Sequence, residues 1–355
     1  MRSAEADGAL EPTAPPDSTA GPVARIVARV EASPWSRWWL IPALLLFQVA
    51  WAHAVLWVSG RLAVGTLDST AATLAVYGPY ALAAWWLGVR VGRDALVAFW
   101  PATGWPVEQQ AVWLNRFARA PARHETVALL VGALGGLLAL AAAPDAVIGA
   151  PEGRLAVYVA YAPAFVLGYS MGAVGIVLTL RWLRLVGRIH REATAIDPFD
   201  RVPVYAFSRL TVMVGLAFAV AVYYSFTANG SFQAGNLPSL AFLAATTTFS
   251  VAAFVAPLWG IHGRLVRAKE ALRLDAERRL TRLEAELYAR IDAADFAAAV
   301  GLNGTLGSLT VLRDRVEHLP TWPWSPQLLR GFVSALLLPV VVYLLTRVAS
   351  SLVGG

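Results

Sequence analysis

Long apolar runs alternate along the chain with short arginine-rich segments. A helix that crosses a roughly 30 Å hydrocarbon core needs about 20 predominantly apolar residues. Seven runs meet or approach that length: Trp38–Ser59, Ser69–Val89, Thr126–Ala143, Leu155–Leu180, Tyr205–Phe226, Pro238–Gly260 and Phe332–Thr346. Tilt, or snorkelling of Arg330 and Arg347, accommodates the last and shortest run. None holds a charged residue at depth, and Trp38, Trp57, Trp86, Trp182, Trp259 and Trp322 mark their ends as interfacial belts do. The pattern predicts an all-α fold, a polytopic transmembrane bundle of seven helices.

A different periodicity follows the sixth run. From Ile261 to Ala294 there is no proline, and Leu265, Leu272, Ala276, Leu280, Leu283, Leu287 and Ile291 recur at steps of three, four and seven among charged residues. This is an amphipathic helix about 50 Å long. Its spacing drifts from strict heptads, so a long coiled coil does not follow. A second apolar pattern runs from Phe296 through Leu302, Leu306, Leu309, Leu312 and Val316 to Leu319, with a turn expected at 292–295. The two predict a helical hairpin between spans six and seven, closed by the proline–tryptophan segment Leu319–Pro326. The expected organisation is a disordered tail over 1–22 and an interfacial amphipathic helix over 23–37. A six-span bundle over 38–260, the hairpin over 261–325 and the last span with the C-terminus over 326–355 complete it.

Composition agrees. The 355 residues are 57% hydrophobic and 15% charged, against about 45–50% and about 25% in soluble domains, and mean hydropathy is +0.57. This excludes an ordinary cytosolic enzyme, a disulfide-stapled domain and a disordered chain. The absence of cysteine removes thiolate chemistry and cysteine-based metal sites. With a cytoplasmic N-terminus, 26 of the 29 basic residues fall inside and 3, Arg61, Arg154 and Arg347, outside. This satisfies the positive-inside rule and puts the C-terminus outside. The net charge of +6 then faces an anionic inner leaflet, with no nucleic-acid partner implied. One lysine among 28 arginines points to GC-rich coding and a prokaryotic plasma membrane.

Candidate chemistry is thin. No Asp, Glu or Lys sits at bilayer depth, which argues against an ion-coupled carrier. Thr246 and Ser250 share a helix face and could line an aqueous path, or bond back to their own helix. His53 reads as a hydrogen-bonded interfacial histidine or as a pH-sensing or ligand contact. His190, Asp197 and Asp200 could hold a divalent ion, or serve a solvated turn at Ile196–Asp200. No nucleotide, hydrolase or zincin motif occurs, so neither a catalytic residue nor a cofactor is expected. Asn229-Gly-Ser231 matches a glycosylation sequon and reads as chance in a prokaryote. Gly132 and Gly136 in the third span, and Gly168 and Gly172 in the fourth, form small-residue stripes predicting a tightly packed hairpin of these two helices. Leu280, Leu283, Leu287 and Ile291 form the expected seam of the cytoplasmic hairpin, either intramolecular or between subunits of a homo-oligomer.

Pro257-Leu-Trp-Gly-Ile-His262, the long charged helix and Leu319-Pro-Thr-Trp-Pro-Trp324 together resemble a family of prokaryotic seven-span membrane proteins; this likeness implies no particular activity. In topology alone the chain is similar to insect odorant and gustatory receptor channels. That resemblance implies a cytoplasmic anchor, made by extensions of the sixth and seventh helices, that assembles a tetramer with the last span lining a pore. The reading favoured is therefore a homo-oligomeric channel or ligand-gated receptor, and not an enzyme. A receptor or scaffold signalling through the hairpin, and a carrier without ion coupling, are the alternatives.

Overall fold

The computed structural model describes residues 21–32, 39–143, 154–228 and 237–353. Residues 1–20 of the tail expected over 1–22, residues 33–37 of the expected interfacial helix, the loop 144–153, the sequon at Asn229 and the last two residues lie outside them. Among the described residues the chain is all-helical with no strand. The helices are α1 (Pro22–Ala32), α2 (Leu40–Val58), α3 (Ser69–Ala75), α4 (Tyr77–Thr103), α5 (Gln110–Ala118) and α6 (Ala122–Ala141). There follow α7 (Arg154–Glu192), α8 (Arg201–Tyr205), α9 (Ser208–Ala228), α10 (Leu237–Asp292), α11 (Phe296–Glu317) and α12 (Pro326–Val353).

Among the described residues five stretches are long and apolar enough to cross a membrane: Leu40–Val58, Ala122–Ala141, Arg154–Glu192, Arg201–Ser225 and Ala244–Asp292. The chain is a multi-pass membrane protein, and five of the seven expected runs fall in these stretches. The run Ser69–Val89 is divided instead, between α3 and α4, with Val76 at the break. The seventh run lies in α12, a helix of 28 residues, and Pro326–Leu338 is the apolar part of it whose side chains are described.

Two compact units are built from interleaved segments, 1–93, 106–182 and 217–246 in one, 94–105, 183–216 and 247–355 in the other. In the first, Ala52, Leu56, Ala71, Leu140, Val157, Ala160 and Tyr161 form a buried cluster of α2, α3, α6 and α7. Two glycines set the approach of α6 to α7. A Cβ on Gly132 would lie 2.5 Å from Ser170 Cα, and one on Gly136 2.6 Å from the Phe165 carbonyl oxygen. The stripe on α7 does not answer them. Gly168 faces Tyr77, whose Cβ would stand 3.2 Å from an added methyl, and Gly172 faces open space. Spacing identifies a small face, but the rotation of the helix decides which neighbour it meets. The opposite side of α6, with Val127, Leu130, Val131, Leu134 and Leu138, is exposed and apolar, as a lipid-facing side must be. The amphipathic α1 is anchored here: the buried Glu125 carboxylate accepts the backbone N–H of Val23 and, at 3.1 Å, that of Ala24. A carboxylate at a helix N-terminus satisfies orphan donors and complements the dipole.

The second unit holds the end of α4 against the segment after α7. Thr194 and Ala195 donate backbone N–H to the Thr103 and Ala102 carbonyls, both at 3.1 Å. Gly104 takes a left-handed φ of +71° to make that turn. The distal part of α10 places its most covered residues at 258, 261, 265, 269, 272, 276, 280, 283 and 287. Steps of 3, 4 and 4 are an eleven-residue repeat, which explains the drift from heptads. Its end turns through Ala294, at φ +57°, into α11, capped by Asp295 on the Ala298 N–H at 3.2 Å. Lys269 Nζ donates to the carbonyls of Glu317 and Leu319, the latter at 3.1 Å.

Replacing Gly136 by Leu drives a side chain into the α7 backbone and costs typically about 1–3 kcal/mol in a reversible unfolding measurement. The same change at Gly172 stays within about 0.5 kcal/mol. Equal losses at the two positions would refute the close approach of α6 to α7.

Candidate functional site

Proline has no N–H, so the carbonyl four residues earlier loses its helical partner. In hydrocarbon that carbonyl needs another donor. Pro79 frees the Ala75 carbonyl, and the helix breaks beside it at Val76. Gln48 of α2 fills the vacancy, donating Nε2 to Ala75 O at 3.2 Å. Pro163 frees the Val159 carbonyl in α7, and Trp51, three residues after Gln48 on α2, donates Nε1 to it at 3.0 Å. Gln48 is 3% exposed, and its Oε1 has no protein partner.

Hydroxyls surround the break. Tyr224 donates to the Thr73 carbonyl at 3.1 Å, Tyr80 to the Ala217 carbonyl at 2.7 Å, and Tyr77 to Ser225 Oγ at 3.0 Å. Ser225 in turn donates its hydroxyl to the Ala221 carbonyl at 2.8 Å. The rings of Tyr77 and Tyr224 meet edge to face at 5.4 Å. A discontinuous helix lined by polar groups is where membrane proteins commonly bind what they sense or pass. Among the described residues this cluster offers hydroxyls, an amide and carbonyls, with no carboxylate or imidazole. It can orient a polar group and has no general base.

Toward the other end of α2, His53 is 2% exposed and bonded at both nitrogens. Nδ1 lies 2.7 Å from the Val49 carbonyl and Nε2 accepts the Asp68 N–H at 2.8 Å, which requires the Nδ1–H tautomer. Asp68 caps α3 through the N–H groups of Thr70 at 3.2 Å and Ala71 at 3.0 Å, and accepts Tyr161 OH at 2.5 Å. Trp57 Nε1 donates to Thr66 O at 2.9 Å. Together they pin the loop that ends α2 at Gly60, whose φ is +68°.

In the second unit Ser250 is fully buried and donates at 2.7 Å to the Gly215 carbonyl, a bond to α9. Thr246 is half-buried. A Cβ on Gly215 would lie 2.6 Å from the Phe332 ring, so α9 and α12 meet closely beside Ser250. From Phe332 a stack of rings continues: Phe254 at 4.2 Å, then Trp324 at 4.9 Å, Trp322 at 4.5 Å and His262 at 3.8 Å between successive centroids. His262 Nδ1 bonds the Thr321 carbonyl at 2.8 Å. The proline–tryptophan segment is thereby seated on α10.

The structure separates the three candidate metal ligands. His190 is buried between the rings of Phe99 and Phe207, with Nδ1 3.3 Å from the Pro257 carbonyl. Asp197 accepts the Phe199 N–H at 2.9 Å, and Asp200 caps α8 through the Val202 N–H at 3.0 Å. No group of three metal-ligating side chains occurs among the described residues. Along the expected seam Leu280 is buried, Leu283 and Leu287 are half-buried and Ile291 is exposed. Sequence reasoning missed the roles of Gln48, Trp51 and the α4 tyrosines. For Gln48 and Trp51 the signal was there, in the carbonyls four residues before Pro79 and Pro163.

Substituting Gln48 by Met leaves Ala75 O without a donor and destabilises the protein by about 1 kcal/mol, as interhelical bonds in membranes do. Restoring the helical N–H with Pro79→Ala makes Gln48 dispensable, so the loss shrinks toward zero in the double variant. A double-mutant cycle by thermal unfolding with no coupling would show that Gln48 does not serve that carbonyl. Compared with family models, curated proteins and solved structures, the chain matches none of the three.

Proposed function

We propose that this protein is a homo-oligomeric channel or ligand-gated receptor of a prokaryotic plasma membrane, assembled through a cytoplasmic hairpin formed by distal α10 and α11. The N-terminus lies inside and the C-terminus outside, in keeping with 26 of 29 basic residues on the inner side.

The observation that carries this reading is the open face of α11. From Phe296 to Leu312 there is no charged residue. Phe296 is 63% exposed, Val300 74% and Val311 56%. Gly301, Gly304 and Gly307 have nothing within 4 Å of a built Cβ. Each interior glycine costs a helix about 1 kcal/mol relative to alanine. Close packing by another helix offsets that cost, and nothing else in the described chain does so. An uncharged apolar face in water calls for a cover. A second copy suits it: neutral faces do not repel, and all copies share one membrane plane. Because α10 runs unbroken from the apolar stretch to Asp292, displacement of the hairpin is transmitted to a span. The ring stack transmits it to the start of α12.

Mass measurement in nanodiscs is expected to give an oligomer for the wild type and a monomer for Val300→Glu/Val311→Glu. Both positions are exposed, so the monomer fold survives, whereas an interface would have to bury carboxylates without partners at a cost of several kcal/mol. Single-channel conductance is expected to disappear with the oligomer. A wild type that stays monomeric in lipid overturns the assembly and leaves the hairpin to a cytoplasmic signalling partner. Reporters at Asp292 and after Gly355 are expected on opposite sides of the membrane; the same side would overturn the topology.

A further inference from the structure

α5 and the end of the apolar part of α7 bring Arg116 and Arg181 together, with no counter-ion among the described residues. Arg181 donates Nε and Nη2 to the Arg116 carbonyl at 3.3 and 3.1 Å. Trp182 Nε1 donates to the next carbonyl, that of Phe117, at 3.0 Å. These carbonyls belong to the last turn of α5, which has no helical donors left for them. The bonds fix α5 against α7. The Arg116 guanidinium lies 5.0 Å over the Trp113 ring, a cation–π contact that orients it. The Arg181 guanidinium rests on the backbone of the residue that carries the second guanidinium. Among the described residues, no carboxylate oxygen lies within the 4.0 Å of an ion pair from either.

Arg116 is exposed and Arg181 half-buried, so the pair is open to a ligand. The surroundings say which kind. Trp113 and Phe117 point inward, and Val107 and Val112 are exposed at 70% and 52%. Val112 and Arg116 are four residues apart, on one face of the helix. Paired cations beside exposed valines, where a spanning helix meets the basic side of the membrane, match the boundary between phosphate and acyl chain.

We propose that Arg116 and Arg181 form a headgroup site for an anionic phospholipid, the phosphate accepting from both guanidiniums and the acyl chain lying along Val112. Guanidinium groups favour such bidentate, charge-assisted bonds to phosphate. The site rests on the membrane orientation proposed above and is independent of oligomeric state.

Titration of the detergent-solubilised protein with phosphatidylglycerol, read by native mass spectrometry, tests it. Wild type is expected to retain phosphatidylglycerol in preference to phosphatidylcholine. Arg116→Gln is expected to weaken retention about fivefold, the usual worth of one basic residue near an anionic surface. Arg116→Lys is expected to restore part of it. Among the described residues the Arg116 side chain has no hydrogen-bond partner, so Arg116→Gln leaves the fold intact, which its melting point in phosphatidylcholine verifies. Arg181→Gln also removes the bond to α5, so the decision rests on Arg116. Arg184→Gln, an exposed arginine outside the pair, is expected to change nothing. Equal retention by wild type and Arg116→Gln overturns the site. An equal loss with Arg184→Gln overturns it in favour of a diffuse basic surface, and competition by inorganic phosphate overturns the lipid in favour of a free anion.

Discussion

A backbone carbonyl stripped of its helical partner inside hydrocarbon must be given another donor, and much of the first unit is arranged around that requirement. Pro79 and Pro163 create two such carbonyls, and α2 answers both, through Gln48 and Trp51. The same helix continues the work with His53 on the Asp68 N–H and Trp57 on the Thr66 carbonyl. Four polar side chains on one apolar helix thus serve the backbone of its neighbours. This explains why so few polar residues suffice, and it fixes α2, α3 and α7 as a group. It leaves His53 with no ring nitrogen for a ligand. At Gln48 it leaves one acceptor, Oε1, without a protein partner at the break.

The helical class and five of the apolar spans were legible because they follow from the length and hydropathy of local segments. The break at Val76 was not, since hydropathy runs on through Ser69–Val89 and only the chemistry of Pro79 interrupts it. Small-residue spacing was legible as a surface and not as a contact. Gly132 and Gly136 lie against the α7 backbone, while Gly172 meets nothing. Helix rotation, which decides between these outcomes, is set by partners far away in sequence. Ser250 illustrates the same limit. Its position on α10 gives a face, but only the close approach allowed by Gly215 turns the hydroxyl into a bond to α9. His190, Asp197 and Asp200 are near in sequence, yet burial among aromatic rings takes the first and turn capping the other two.

The second unit has its own constraint, the return of the chain to its last helix. Prolines in Leu319–Pro326 withhold backbone donors, so hydrogen bonding cannot hold this segment as it holds a helix. Rings do so instead. The stack from His262 through Trp322, Trp324 and Phe254 to Phe332 joins α10 to the first turns of α12. Stacked rings contribute area and about 0.5–1.5 kcal/mol per pair beyond it. Lys269, reaching the carbonyls at the end of α11, adds a polar tether on the same helix.

These two constraints differ in what they permit. Hydrogen bonds from α2 are directional and end on single carbonyls, so the helices they join cannot slide without leaving a polar group unpaired in hydrocarbon. The ring stack is less directional, and its members can tilt while staying in contact. In the first unit the bonding chemistry therefore ties α2 to single carbonyls of its neighbours, and in the second unit ring contacts seat the proline-rich return on α10.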